Sequence, residues 1–135
     1  MVFRPQGPRI VAYGIAVILI VLTITVGAAL PQDIADQFTT FELGTLAVLL
    51  GSTLIGLNAV TRSFVKVSDT GLHIRNGYRD RHLAWGDIQG VSFRAGAPWP
   101  TLVTGEGERV MLFAIQGSDG PTAQSAVDAI RGRLA

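Results

Sequence analysis

The chain has 135 residues, of which 48% are hydrophobic and 16% charged, with a formal net charge of +1 and no cysteine. The absence of cysteine excludes a disulfide scaffold, a thiol nucleophile and a cysteine-ligated metal site, and the high apolar content excludes a disordered chain. Residues 10–60 hold three Lys, Arg, Asp or Glu side chains, whereas residues 61–135 hold sixteen. This asymmetry predicts an apolar anchor followed by one small soluble domain.

Two uncharged runs, residues 10–30 and 43–60, form the predicted anchor. As helices they would be about 30 Å and about 27 Å long, which is enough to cross the hydrocarbon core of a bilayer. Lys and Arg flank the outer ends of both runs, whereas residues 31–42 between them carry only acidic charge. The positive-inside rule therefore predicts two transmembrane helices in the cell membrane, an extracytoplasmic loop over 31–42, and cytoplasmic segments over 1–9 and 61–135.

The first run has an alternative interpretation as a signal peptide. Arg4 and Arg9 precede it, and the small residues 27–29 resemble a cleavage site. The hydrophobic region of a signal peptide is typically about 7–15 residues, and this run is longer. We therefore expect the helix to be retained.

Small residues recur at helical spacing on the second run, at Gly44, Ala47, Gly51, Ser52 and Gly56. Such a stripe lets two helices approach closely in lipid. It is typical either of a dimerisation face or of packing within the hairpin, and we expect it to pack against the first helix. Asn58 lies close to the end of the run and is expected at the membrane boundary.

Short alternating segments then predict six β-strands, over residues 63–68, 72–75, 79–85, 88–94, 101–103 and 109–116. The last of these is apolar on both faces, which predicts a central position in its sheet. Apolar residues at 123, 127, 130 and 134 follow one stripe of a C-terminal helix. The predicted fold class is α+β: a two-helix transmembrane hairpin, then six or seven antiparallel strands in an open barrel, then one helix.

The Asn76-Gly77 dipeptide is a strong hairpin signal, because both residue types tolerate a positive φ. A two-residue turn at this dipeptide pairs Arg75 with Tyr78 and His73 with Asp80.

Several segments carry a resemblance to a known family: Asp69-Thr70-Gly71-Leu72, Ile74-Arg75-Asn76-Gly77, Ala84-Trp85-Gly86-Asp87-Ile88, Pro98-Trp99-Pro100 and Val110 to Ile115. From Val67 to Leu134 the pattern resembles a bacterial pleckstrin-homology-like (PH-like) domain of the actinobacterial subtype that follows two transmembrane helices. Small proteins named low-molecular-weight antigens belong to that subtype. The resemblance implies a seven-stranded barrel of two nearly orthogonal sheets capped by a helix, without a catalytic site. A ligand does not follow from the fold alone.

Three arginines on the predicted hairpin, Arg75, Arg79 and Arg81, are the predicted contact with an anion or an anionic lipid, because Arg binds phosphate bidentately. The pairing places two of them, at 79 and 81, on the core-facing side, where an unpaired guanidinium would cost several kcal/mol. Either the hairpin tip overhangs the barrel or a bulge shifts the register. A solvated hairpin with Asp80 and Asp87 as ion-pair partners is the simpler interpretation.

Trp99 lies between two prolines and is a candidate anchor for a protein partner or for the membrane interface. The alternative is a plug at the end of the barrel. We expect Trp85 in the core.

His73 and His82 lie on the predicted hairpin, where the pairing of His73 with Asp80 is typical of a His–carboxylate pair on a solvated sheet face. Gly105-Glu106-Gly107 is not a phosphate-binding loop, because it lacks the lysine and the following helix of such a loop.

We identify no residue set for a catalytic, cofactor or metal site in this sequence. Residues 61–135 carry nine basic and seven acidic groups, which is too balanced for nucleic-acid binding. The sequence therefore predicts a non-enzymatic, membrane-tethered interaction module with a protein partner and no cofactor. Anionic lipid head groups are the alternative ligand.

Overall fold

The computed structural model describes residues 1–135 as an α+β protein. Helix α1 spans Gln6–Ala29 and helix α3 spans Thr40–Arg62, with the one-turn helix α2 (Gln32–Ala35) between them. Thr39 and Glu42 form a capping box at the start of α3, because each side chain bonds the backbone N–H of the other residue. Both long helices are long and apolar enough to cross a membrane.

The two long helices lie side by side, but they do not pack tightly against each other at the glycines of α3. Gly44, Gly51 and Gly56 would each present an added Cβ to open space, with nothing within 4 Å. Towards the connecting loop the helices leave an apolar cleft of about 760 Å³, lined by residues such as Leu22 and Ala47. The prediction that this stripe packs against the first helix is therefore wrong for its three glycines.

Seven strands form two antiparallel sheets. The first sheet has the order β1 (Val2–Phe3), β2 (Phe64–Val67), β3 (Gly71–Asn76) and β4 (Arg79–Ala84). The second has the order β5 (Ile88–Ser92), β6 (Thr101–Thr104) and β7 (Arg109–Met111). Helix α4 (Pro121–Leu134) packs against β5, and the core lies between α4 and the sheets, where the largest fully buried side chains are Leu72, Ile74, Leu102, Leu112 and Ile130. The predicted α+β fold with a C-terminal helix is confirmed.

Strand β1 comes from the residues that precede the first long helix, and the sequence analysis did not identify it. Val2 pairs with Lys66 and Phe3 with Val65, and a 2.7 Å hydrogen bond joins the N–H of Val67 to the carbonyl of Met1. Phe3 packs against the core and Pro5 is fully buried. The N-terminal segment is thus part of the sheet.

The β3–β4 turn lies one residue later than predicted. Asn76 pairs with Arg79 and Arg75 with Asp80, so the two turn residues are Gly77 and Tyr78. Gly77 takes the positive φ of +64°, which costs glycine little. The shift moves each pair by two residues, and for that reason the predicted faces of both strands are unchanged.

The last strand is shorter than predicted and lies at the edge of its sheet rather than in the centre. It ends at Met111 and pairs with β6 alone. Leu112, Ala114 and Ile115 are nevertheless buried, because the chain turns after β7 and packs these side chains into the core. The apolar run therefore reflects a buried turn.

Candidate functional site

The outer face of the first sheet carries a polar and aromatic cluster made by β2, β3 and β4. The ring of His73 stacks on that of His82 with centroids 3.9 Å apart and meets Phe64 edge-on at 4.8 Å. His73 Nε2 lies 2.6 Å from Asp80 Oδ1, and the Arg75 Nη2 group donates to Asp80 Oδ2 at 2.8 Å. Arg75 also lies over the Phe64 ring, 5.0 Å from its centroid. Its positive charge is therefore already compensated within the sheet.

The Arg75 guanidinium, and to a smaller extent the His73 imidazole, hold the pKa of the Asp80 carboxyl below its ordinary value of 3.8. The folded state binds this proton less tightly than the unfolded state does. The carboxylate therefore contributes stability above the ordinary pKa, and that contribution is lost as the pH falls through the lower folded value.

We expect the Asp80→Asn variant to lose less stability on acidification than the unmodified chain. The measurement is the urea midpoint of the domain between about pH 6 and about pH 3, the range in which carboxyl groups titrate. Asp87→Asn is the matched control, because Asp87 is exposed and makes no ion pair. Identical acid sensitivity in Asp80→Asn and the unmodified chain would contradict the assignment.

The two histidines and Asp80 do converge, but on an open sheet face. The His73 side chain is 25% exposed and that of Asp80 39%. The positions of these three side chains do not fit those of ligands that share one metal ion. Its geometry is that of a cross-strand ion pair with stacked rings.

The opposite face of the β3–β4 hairpin opens onto a gap between the two sheets, which we call the seam. The seam is a cleft of about 680 Å³ lined by side chains of β3, β4 and β7 together with Phe113. Arg81 lies on the core-facing side of β4, yet it is exposed because β4 is an edge strand. Its Nη1 donates to Glu108 Oε1 across the seam at 2.8 Å, which raises the pKa of Arg81 further above its usual range. The edge position resolves the predicted conflict without a bulge, since β3 and β4 pair regularly.

The side chain of Asn76 bridges the seam near the hairpin tip. Its Nδ2 donates to the carbonyl of Met111 at 2.6 Å, and its Oδ1 accepts from the N–H of Phe113 at 3.3 Å. One side-chain amide thus pairs with the chain at the end of β7 as the N–H and C=O of a single residue in a parallel neighbouring strand would.

Replacing Asn76 by alanine is expected to lower the free energy of unfolding by about 1–2 kcal/mol, because two backbone groups lose their partner. Urea denaturation followed by tryptophan fluorescence measures this change, and Gln89→Ala, which removes one long 3.4 Å hydrogen bond, is the control. A neutral effect of Asn76→Ala would mean that water replaces the amide without cost.

The hairpin tip is docked on the end of α3. The Tyr78 hydroxyl donates to Asn58 Oδ1 at 2.8 Å and lies 3.3 Å from the carbonyl oxygen of Ile55. The guanidinium of Arg62 lies over the Tyr78 ring at 5.5 Å, and the N–H of Gly77 donates to Ser63 Oγ at 2.9 Å. The domain therefore has a fixed orientation relative to α3.

The three predicted arginines do not form one cluster. Arg75 is on the outer face, whereas Arg79 and Arg81 are on the seam side, and only Arg79 of the three makes no ion pair. Trp99 is half-buried and packs edge-on against Phe113 at 4.8 Å. Trp85 is also half-buried, packs against the core, and donates from Nε1 to the carbonyl of Ser68. The anion contact and the Trp99 anchor stay predictions.

Sequence reasoning missed two features of this region, the Asn76 bridge and the contact of Tyr78 with α3. An available signal for the second was the aromatic residue directly after Gly77, since tyrosine is enriched at membrane interfaces. The Asn76 bridge had no local signal, because its partners are 35 and 37 residues away.

Comparisons with known proteins extend the likeness over the whole chain. Residues 62–133 match the family model for the bacterial PH domain. Uncharacterized proteins of Mycobacterium bovis and Mycobacterium tuberculosis are 31% identical to the chain over 142 residues, which cover all of this chain and 88% of each relative. No solved structure matches the chain.

Proposed function

The chain belongs to the bacterial PH domain family, and from this premise we propose that it is a non-catalytic interaction module anchored on the cytoplasmic face of the cell membrane. The observation that carries the proposal is the pairing of β1 with β2. Strand β1 precedes α1 and strand β2 follows α3, and yet both belong to one sheet. If α1 and α3 cross a bilayer, both ends of the chain must lie on the same side.

The charge distribution supports the cytoplasmic side for that domain. Arg4 and Arg9 precede the first apolar run (residues 10–30), and Arg62 and Lys66 follow the second (residues 43–60). The segment between α1 and α3 carries acidic side chains and neither Lys nor Arg. The positive-inside rule then favours two spans with residues 31–42 outside the cell.

The short connection supports a role that depends on proximity to the membrane. Only Ser63 separates α3 from β2, and Tyr78 reaches back along α3 to Asn58. A domain held this way presents a defined set of surfaces to the membrane plane. Binding to a membrane-bound partner would then require little reorientation, which lowers the cost of association.

Labelling of single cysteines tests the topology, and the chain offers a clean background because it has no native cysteine. A membrane-impermeant maleimide is expected to label the Asp36→Cys variant in intact cells and the Glu106→Cys variant only after lysis. Labelling of Glu106→Cys in intact cells would refute the proposed orientation. The intact mass of the purified chain separately tests the signal-peptide alternative, which requires loss of residues up to the small-residue segment.

Photo-crosslinking in native membranes tests the interaction role. A photoreactive residue on the domain should yield one reproducible protein adduct, with the same residue in place of Asp36 on the other side of the membrane as the control. Repeated recovery of lipid adducts alone would contradict a protein partner.

A second candidate function is binding of anionic lipid head groups, and the docking of the hairpin tip favours it. Arg62 lies over the Tyr78 ring where α3 meets the domain, and Arg79, the next residue after Tyr78, makes no ion pair. Each basic side chain near an anionic surface contributes roughly 1 kcal/mol of attraction. Arg75 and Arg81 contribute less to this second candidate, because Asp80 and Glu108 already compensate their charges.

Native mass spectrometry of the full chain, extracted from membranes that contain anionic phospholipid, measures the head-group contact. The double variant Arg62→Ala/Arg79→Ala should retain several-fold fewer anionic lipids than the unmodified chain, whereas Arg75→Ala/Arg81→Ala should retain nearly as many. Equal loss in the two double variants would exclude a specific role for the tip.

A further inference from the structure

The seam is a place where two unpaired strand edges face each other. β4 is the last strand of the first sheet and β7 the last strand of the second, so each has one neighbour and one free edge. A free edge exposes a row of backbone N–H and C=O groups that can pair with another extended chain. The other free edge of the first sheet, on β1, borders a much smaller cavity of about 70 Å³ that α4 lines in part.

The Asn76 bridge indicates that the end of β7 accepts a strand-like partner. The amide of Asn76 bonds the carbonyl of Met111 and the N–H of Phe113, which is the ladder pattern made by a neighbouring strand. Away from this bridge, the polar contact that spans the seam is the ion pair between Arg81 and Glu108. Their side chains are 42% and 52% exposed, and exposed pairs of this kind open easily.

The charged side chains around the seam determine which charge a bound segment should carry. Asp80 is bound by Arg75 and His73 on the outer face, and Arg81 and Glu108 neutralise each other. Arg79 and Arg109 line the seam and make no ion pair. The positive charge that remains is complementary to carboxylates.

We propose that the seam binds an extended, acidic segment of a protein partner, which adds as a strand along β4 beside β7 and directs carboxylates to Arg79 and Arg109. Backbone pairing supplies the attachment, and the two arginines select acidic side chains over basic ones. The apolar side chains of Ile74, Val110 and Phe113 line the same cleft and offer apolar contacts to the bound segment. This inference rests on the proposed interaction function and names its binding site.

The test uses the full chain in lipid nanodiscs and a synthetic peptide of about six residues, a usual strand length, that alternates valine and glutamate. Fluorescence anisotropy measures its affinity, and hydrogen–deuterium exchange locates it. We expect saturable binding with slower exchange in β4 and β7. The double variant Arg79→Glu/Arg109→Glu should weaken binding by about tenfold or more, as reversal of two contacts in a charge-complementary site does.

Matched controls separate strand addition from general charge attraction. Arg94→Glu should leave the affinity unchanged, because Arg94 is also exposed but lines a different cavity. A backbone N-methylated peptide and a valine–lysine peptide should bind much more weakly. Tryptophan fluorescence reports whether each variant remains folded.

The proposal is overturned by absence of saturable binding, by equal binding of the lysine or N-methylated peptide, or by exchange protection confined to other strands. Protection of β4 in a dimer of this chain without peptide would also overturn it, in favour of a second copy as the occupant. A failed peptide experiment together with a reproducible protein adduct in native membranes would leave the interaction function intact and move its binding site elsewhere.

Discussion

Replacing Phe3 by alanine is expected to lower the free energy of unfolding of the domain by about 2–3 kcal/mol, somewhat less than the loss of a fully buried phenylalanine. Phe3 packs against the core from β1 and pairs with Val65, which is fully buried. Urea denaturation in detergent micelles measures the change. Tryptophan fluorescence is a selective probe, because the two tryptophans of the chain, Trp85 and Trp99, both lie in the domain.

Val2→Ala is the matched control for this prediction. Val2 belongs to the same two-residue strand but is 49% exposed, so its truncation should change stability by less than about 0.5 kcal/mol. Equal, small effects of the two substitutions would mean that β1 does not unfold together with the rest of the sheet. The argument that both ends of the helical pair lie on one side would then lose its main support.

The origin of β1 shows what periodicity cannot reveal. Two residues give no alternating pattern, and their partners, Val65 and Lys66, are more than sixty positions away. The long apolar segments were evident from the absence of charge alone, and five of the six predicted strands lie within a few residues of their positions. Patterns that extend over four or more residues were therefore readable, whereas a pairing fixed only by tertiary contact was not.

The hairpin turn illustrates how tertiary contacts override a local signal. Asn76-Gly77 favours a turn at those two residues, yet the turn lies at Gly77 and Tyr78. Asn76 remains in β3, where its amide bonds the end of β7, and Tyr78 reaches Asn58 on α3. Both contacts bring together residues far apart in sequence, and neither can be inferred from the dipeptide.

The sequence predicted on which face of the sheet each arginine of the candidate site lies, but it did not predict the ion-pair partners of these arginines. Strand alternation correctly separated Arg75 from Arg79 and Arg81, because a shift of two residues preserves the faces. The partner of Arg81 is Glu108, 27 positions along the chain on the facing edge of the seam. That pairing depends on how the two sheets meet, which strand patterns do not specify.

Replacing Gly71 by alanine is expected to destabilise the domain by about 3 kcal/mol, at the upper end of the usual cost of overpacking. An added Cβ would overlap the carbonyl oxygen of Leu83 and lie 2.9 Å from the Cα of Ala84. Both atoms are backbone atoms of β4, and so no side-chain rotation relieves the clash. β4 would have to move away from β3 where Gly71 pairs with Ala84, and the ladder would weaken from that end.

Gly86→Ala is the matched control, because an added Cβ there meets nothing within 4 Å and Gly86 does not require a positive φ. We expect its urea midpoint to stay close to that of the unmodified chain. If Gly71→Ala were equally tolerated, β3 and β4 would have to be able to separate at this end at little cost. Hydrogen exchange would then be fast at the amides of residues 71, 72 and 83, and slow exchange there together with tolerance of alanine would contradict the close approach of the two strands.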